Sequence, residues 1–341
     1  MSGSITDVGG VLVGHHHRID GDATLGSGWA TGSTVVLPPC GTVGAADVRG
    51  GAPGSRETDL LDPANTVRHV DAVLLTGGSA YGLAAADGVM TWLEEHQRGI
   101  AMDGGLVPVV PAAVIFDLPV GGWQCRPTAQ FGSAAAGAAG TDVAVGTVGA
   151  GVGARAGVLK GGVGTASVRL NDLGVTVGAI VVVNSAGNVV SPATGLPWMA
   201  HLIEEFGLSP PPSGQIAALA GLDRENSPLN TTIAVVATDA ALTPAACRRV
   251  AVAAHDGLAH TIRPCHTPLD GDTVFALATG AVQVAPDPDT PVAMSPETRL
   301  VTAVGAAAAD ALARAVLNGV LAAESVAGIP TYRDVLPGAF V

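Results

Sequence analysis

Short runs rich in Val, Ile and Thr recur along the chain, each bounded by Gly, Pro or Asp. They fall at residues 34–38, 71–76, 107–115, 142–148, 175–183 and 231–238, and they read as strands. Between them the pattern changes period. From Ser79 to Arg98 apolar residues recur at Leu83, Ala86, Met90 and Leu93, near helical spacing, with Ser79 placed to cap the start and Gly99 the end. Thr243-Pro244 opens a second helix, with threonine at the N-cap and proline in the first turn. Residues 296–323 form a third. Strands and helices mixed throughout predict sheets covered by helices.

The exception to this alternation lies at 207–230. It holds Pro210, Pro211 and Pro212, a short helical piece and the polar stretch LDRENSPLN, and it feeds directly into the run TTIAVV. An exposed loop entering a core strand is a place where a chain can be cut without unfolding the strand beyond it.

Composition narrows the functional classes. Apolar residues make up 48% of the chain, charged residues 13% and aromatics 3%, with 47 glycines, so backbones pack closely. So few charges predict that part of the surface is buried in a homo-oligomer. A net charge of −13 and the lack of a basic stretch argue against a nucleic-acid partner. Residues 300–323 approach membrane length, but they carry Asp310, Arg314 and Asn318 and read as a packed helix, so no membrane partner is expected. The N-terminus has neither a basic nor an apolar signal-like region. Cys40, Cys125, Cys247 and Cys265 are scattered without metal spacing, which predicts free thiols in a reducing cytoplasm.

Candidate chemistry then has to be weighed residue by residue. LKGGVGT at 159–165 echoes a phosphate loop, but the lysine is not followed by Ser or Thr, and no cofactor is expected. Lys160 between glycines is either a surface lysine or a cation able to stabilise an oxyanion. His15, His16 and His17 alternate faces if they lie on a strand, so no metal site is expected there. GGSAYG at 77–82 departs from a nucleophile elbow because Tyr81 stands where the last glycine belongs. Asp270 and Asp272 flank Gly271 just before a strand, as turn residues or as carboxylates converging on a site. Asn184 ends the run VGAIVVVN, as a turn residue or an amide donor.

Thr231 and Thr232 can be mere strand residues. Alternatively, attack of the Thr231 hydroxyl on the Asn230 carbonyl, followed by hydrolysis of the resulting ester, frees a chain that begins at Thr231. Its α-amine, with an unperturbed pKa of roughly 7.7–8.0, can then act as base for its own hydroxyl.

The blocks ITDVGGVLVGHH, RGGAPGSRETDLLDP, LTGGSAYGLAAADGV, VPVVPAAVIFDL, VAVGTVGAGVGARAG, KGGVGTAS, VVVNSAGNVV, NTTIAVVATDA and PLDGDTVFALATG span nearly the whole chain. Together they resemble the P1 family of peptidases, the DmpA-type autoprocessed aminopeptidases and amidases (peptidase family S58), which include nylon-oligomer hydrolase. The resemblance implies an αββα sandwich of the DmpA/ornithine acetyltransferase type, N-terminal-nucleophile-like. It also implies one domain over 1–341, cleaved between Asn230 and Thr231 into chains 1–230 and 231–341, and assembly of αβ units as tetramers. Thr231 is then the nucleophile, Lys160 and Asn184 bind the substrate carbonyl and oxyanion, and Asp270 and Asp272 position the Thr231 amine and hydroxyl. The threonine with two aspartates, in place of serine with a Ser-x-Glu pair, is similar to the nylon-oligomer hydrolase branch. The substrate implied is a small peptide or a linear aliphatic amide bearing an amine. Acyl transfer, as in ornithine acetyltransferase, and an uncleaved non-catalytic protein are the alternatives.

Overall fold

The computed structural model describes residues 3–222 and 230–340. Its first half supplies β1 (Leu12–Ile19), β2 (Ala30–Leu37), β3 (Val43–Val48), β4 (Ser55–Arg56) and β5 (Val73–Thr76), then α1 (Ser79–Gly82) and α2 (Ala85–Glu95). A hairpin of β6 (Ile100–Met102) and β7 (Gly105–Val107) precedes β8 (Ala112–Val114) and α3 (Ala129–Gly137). The second half opens with β9 (Arg155–Ala156), β10 (Leu159–Lys160), β11 (Gly162–Leu170) and β12 (Val175–Val183). Next come α4 (Ala200–Glu205), α5 (Ser213–Ala220) and β13 (Ile233–Ala240). The last elements are α6 (Pro244–Thr261), β14 (Thr273–Val282), α7 (Thr298–Leu321) and α8 (Tyr332–Val335).

Two five-stranded sheets stack face to face. One runs β1-β2-β5-β8-β4 and the other β11-β12-β13-β14-β3. Where both faces of a sheet are covered, as at β12 and β13, the strands are apolar without strict alternation. On β13, Ile233, Val235 and Ala237 fill the core between the sheets with Val36, Leu75 and Ile180, whereas Ala234 and Val236 face the α6/α7 layer. Val35, Leu74 and Ala112 pack outward against Val89, Leu93 and Ala135 of α2 and α3. The four layers are therefore helix, sheet, sheet, helix, the sandwich expected.

Small residues set how closely these layers approach. A Cβ on Gly164 of β11 would lie 1.9 Å from the Ala315 carbonyl oxygen, so the glycine lets the alanine-rich α7 rest on the sheet backbone. Helix α7 is long and apolar enough to cross a bilayer, but two-thirds of its most apolar window is buried inside the fold, as befits a core helix.

Several sequence expectations need correction. The run 107–115 is not one strand. Pro108 and Pro111 separate β7 from β8, since proline cannot donate to a ladder. Residues 142–148 form no strand. They meet β11 only at a Gly146–Val163 bridge, because Gly146 at φ 82° turns the chain away. The helix over Ser79–Arg98 divides into α1 and α2 and stops at Glu95, with Gln97 at φ 57°. Ser79 does not cap it. Gly78 holds the N-cap position and Ser79 itself sits at φ 52°. By contrast, the Thr243 side chain accepts the Ala246 N–H at 3.2 Å, as a capping threonine should. The short helical piece expected within 207–230 is α5 (Ser213–Ala220), and 223–229 lie outside the described residues.

Candidate active site

Strand direction explains why distant motifs meet. β13 and β14 run parallel, with Ile233 opposite Thr273, so the residues just before each strand are neighbours. This brings Asn230 alongside Asp270, where the two form an isolated parallel bridge. β12 runs antiparallel to β13, with Val182 opposite Ile233, so the end of β12 delivers Asn184 to the same place. β11 begins at Gly162 opposite Val183, which puts Lys160 at that end of the sheet too. All five candidate residues are buried: Thr231, Lys160, Asn184, Asp270 and Asp272.

The ladder of β13 starts only at Ile233, leaving the 230–232 segment free to make other contacts. The Thr231 N–H donates to the Asn184 carbonyl at 2.7 Å. The Thr231 hydroxyl donates to the Asn230 carbonyl oxygen, which also accepts the Gly271 N–H at 3.2 Å. Only glycine suits position 271, because a Cβ there would stand 2.9 Å from both Thr231 Oγ1 and the Ala52 carbonyl oxygen.

The two aspartates divide their work. Asp272 Oδ1 accepts the Thr232 N–H at 2.7 Å, while its Oδ2 faces His266, 3.0 Å from the backbone nitrogen and 2.7 Å from Nδ1. Asp270 Oδ2 accepts from the Thr267 amide (3.0 Å) and hydroxyl (2.6 Å), and its Oδ1 from the Ala186 N–H at 3.2 Å. Asp270 thus closes a turn and ties it to the loop after β12. Burial, with Asp272 beside it, raises the Asp270 pKa, against the lowering effect of these hydrogen bonds.

Lys160 is wholly enclosed. Its Nζ donates to the Gly151 and Gly161 carbonyls, both at 2.8 Å. Burial lowers its pKa to about 7, and the charge of Asp117 opposes that fall. Asp117 was not singled out from sequence. It follows β8 and accepts Thr31 Oγ1 and the Gly78 N–H, each at 2.6 Å. Burial raises its carboxyl to about 6, countered by those hydrogen bonds and by Lys160. An acid closing an apolar run, as in AAVIFD, was the available signal, the same one that marked Asn184. The Asn184 amide ties the end of β12 to β9 and to the segment after β8: Oδ1 accepts the Arg155 N–H at 2.9 Å, and Nδ2 donates to the Phe116 carbonyl at 3.3 Å.

The other sequence candidates lie elsewhere in the contact network. His15 Nδ1 pairs with Thr34 Oγ1 at 2.9 Å, His16 packs edge-on against Phe131, and His17 Nδ1 accepts the Gly149 N–H at 3.2 Å. Cys265, His266 and Asp272 each bring one potential metal-ligand atom within 4.8 Å of the others. The His266–Asp272 hydrogen bond engages two of these residues, and burial together with the charges of Asp272 and Asp270 lifts the Cys265 thiol to about 12.

A hydroxyl, a carbonyl gripped by an N–H, a buried cation and two carboxylates, at one end of a stacked-sheet sandwich, define an N-terminal-nucleophile-type hydrolase. The model of peptidase family S58 matches residues 3–333, and the chain belongs to that family of self-processing hydrolases of peptide and amide bonds. It is 75% identical over 341 residues to an uncharacterized aminopeptidase of Mycobacterium tuberculosis (strain ATCC 25618 / H37Rv), with 99% of each chain covered. It is 32% identical over 330 residues to the 6-aminohexanoate-oligomer endohydrolase of Paenarthrobacter ureafaciens, covering 92% of this chain and 84% of that one. Among solved structures, a Burkholderia sp. beta-aminopeptidase matches with TM-score 0.72 at 26% identity, over 98% of this chain and 92% of the other. The L-aminopeptidase D-Ala-esterase/amidase of Ochrobactrum anthropi shares the fold, with TM-score 0.71 at 24% identity over 98% and 91%.

Proposed function

We propose that the chain cleaves itself between Asn230 and Thr231, and that the freed Thr231 then hydrolyses amide bonds through an acyl-enzyme. In the first stage Thr231 Oγ1 bonds to the Asn230 carbonyl carbon. The Asn230–Thr231 C–N bond breaks, and the nitrogen takes up the hydroxyl proton to become an amine. Water then splits the ester, releasing the Asn230 carboxylate and restoring the hydroxyl. In the second stage the new α-amine accepts the hydroxyl proton while Oγ1 attacks a substrate carbonyl, so one residue serves as nucleophile and base.

The observation that carries this proposal is the Asn230 carbonyl oxygen, which receives both the Thr231 hydroxyl and the Gly271 N–H. A donor fixed on that oxygen stabilises charge developing there. Lys160 and Asn184 stabilise the substrate oxyanion, and Asp270 and Asp272 orient the Thr231 amine and hydroxyl. Asp270 does so through the loops it ties together, and Asp272 through the Thr232 amide.

The substrate is a small peptide or linear amide with a free amine, which the carboxylates attract. Relatives named aminopeptidase and 6-aminohexanoate-oligomer endohydrolase support this class. The αβ units assemble as a cytoplasmic tetramer. The low charge content supports assembly, as does the exposure of Tyr81, Met102 and Trp123, and the unpaired cysteines support a reducing compartment. Trapping the acyl-enzyme with a slowly hydrolysed amino-acid ester tests the chemistry. Mass analysis should place the adduct on Thr231. Turnover with the adduct mapped to any other residue would refute the assignment.

A further inference from the structure

Asp272 is held unusually firmly, and the agent is a residue that none of the sequence motifs marked. His266 directs both its backbone N–H (3.0 Å) and its ring Nδ1 (2.7 Å) to one oxygen, Asp272 Oδ2. It does so from a left-handed backbone, φ 55°, a conformation that costs a non-glycine residue energy and gathers at functional sites. The carboxylate is an acceptor, so Nδ1 carries the proton. That leaves Nε2 buried and without a hydrogen-bond partner among the described residues.

The ring is braced from behind. His255 of α6, fully buried, stands edge-on to it with centroids 4.8 Å apart, and its own Nε2 lies 3.1 Å from the Asp47 carbonyl oxygen. The backbone of Asp272 is fixed as well, its carbonyl accepting from the Arg49 amide at 2.9 Å and the Gly50 amide at 3.3 Å. With Oδ2 gripped twice, the carboxylate cannot rotate, and Oδ1 must face the Thr231–Thr232 peptide.

We propose that His266 is the positioning residue that aims Asp272 Oδ1 at the nucleophile segment. This builds on Thr231 as nucleophile. The imidazole touches no reacting atom. It removes a rotational freedom from the one carboxylate bonded to the amide next to Thr231. A misplacement of about 1 Å in such a group costs on the order of 100-fold in rate.

Two substitutions test the idea. In His266→Ala the ring donor is lost. In His266→Asn the side-chain amide puts an N–H close to the Nδ1 position, and asparagine tolerates the left-handed backbone. We expect His266→Ala to lower kcat of the matured protein about 100-fold with KM within about twofold, and to slow self-cleavage, followed by intact mass, to a similar degree. His266→Asn should recover at least about tenfold of both losses. If His266→Ala fails to fold, His266→Asn decides alone: a kcat within about tenfold of the parent supports the proposal, and a deeper loss overturns it. It is also overturned if His266→Ala turns over like the parent, or if the asparagine variant is no better than alanine while both melt like the parent. Thr231→Ala, assayed in parallel, separates the two claims. Activity in that variant refutes the nucleophile, whereas an inactive Thr231→Ala beside a fully active His266→Ala refutes only the role of His266.

Discussion

Two of the three ammonium hydrogens of Lys160 go to the Gly151 and Gly161 carbonyls, which leaves a third for the oxyanion role proposed for it. In a water-excluded site such a donor acts mainly on the transition state. Lys160→Ala should therefore lower kcat by about 100- to 1,000-fold while KM changes little. Steady-state kinetics on one amide substrate check this, and an effect confined to KM would make the lysine a simple anchor. The charge of Asp117 adds a pH dependence whose sign is fixed. Lys160 loses its proton as pH rises through about 7, so kcat/KM should show an alkaline limb there. The Asp117 charge raises the lysine pKa, so Asp117→Asn should move that limb to lower pH. An unmoved limb in the pH–rate profile would uncouple the pair.

At the scale of elements, the site follows from strand direction, and strand direction was the part hidden from sequence. Thr231, Asp270 and Asp272 each precede a Val-rich run, and Asn184 ends one, which a pattern of residues can reveal. That the two preceding turns lie side by side follows from the parallel pairing of β13 with β14, a long-range contact that no local window encodes. Asp117 escaped for the same reason, since Lys160 reaches it from a distant part of the chain. His266 lies only six residues before Asp272, and it escaped because its left-handed backbone, which turns both its N–H and its ring onto one carboxylate oxygen, leaves no mark in the residue pattern. Local signals also misled where backbone chemistry overrode them, as at Pro108, Pro111 and Gly146. Tight helix-on-sheet contact yields a stability prediction. Gly164→Ala would drive a Cβ against the Ala315 carbonyl, so α7 must shift. The cost should be about 1–3 kcal/mol, measured by denaturant unfolding. A change below about 0.5 kcal/mol would mean that α7 yields freely.

For the molecule as a whole, burial at one end of the β11-β12-β13-β14-β3 sheet fixes a peptide bond, its adjacent hydroxyl and a backbone donor together. Cutting that bond as proposed would leave both pieces in place, because β13 and β14 pair within one segment while β3, β11 and β12 flank them from the other. Thr231→Ala should fold, remain a single chain and be inactive. The most direct measurement is the intact mass of the purified protein under denaturing conditions, with Thr231→Ala beside it. Two chains, 1–230 and 231–341, from the parent and one 33.5 kDa chain from the variant are the expected result. A fully active parent that stays one full-length chain, or that is cut anywhere else, would contradict Thr231 as the nucleophile.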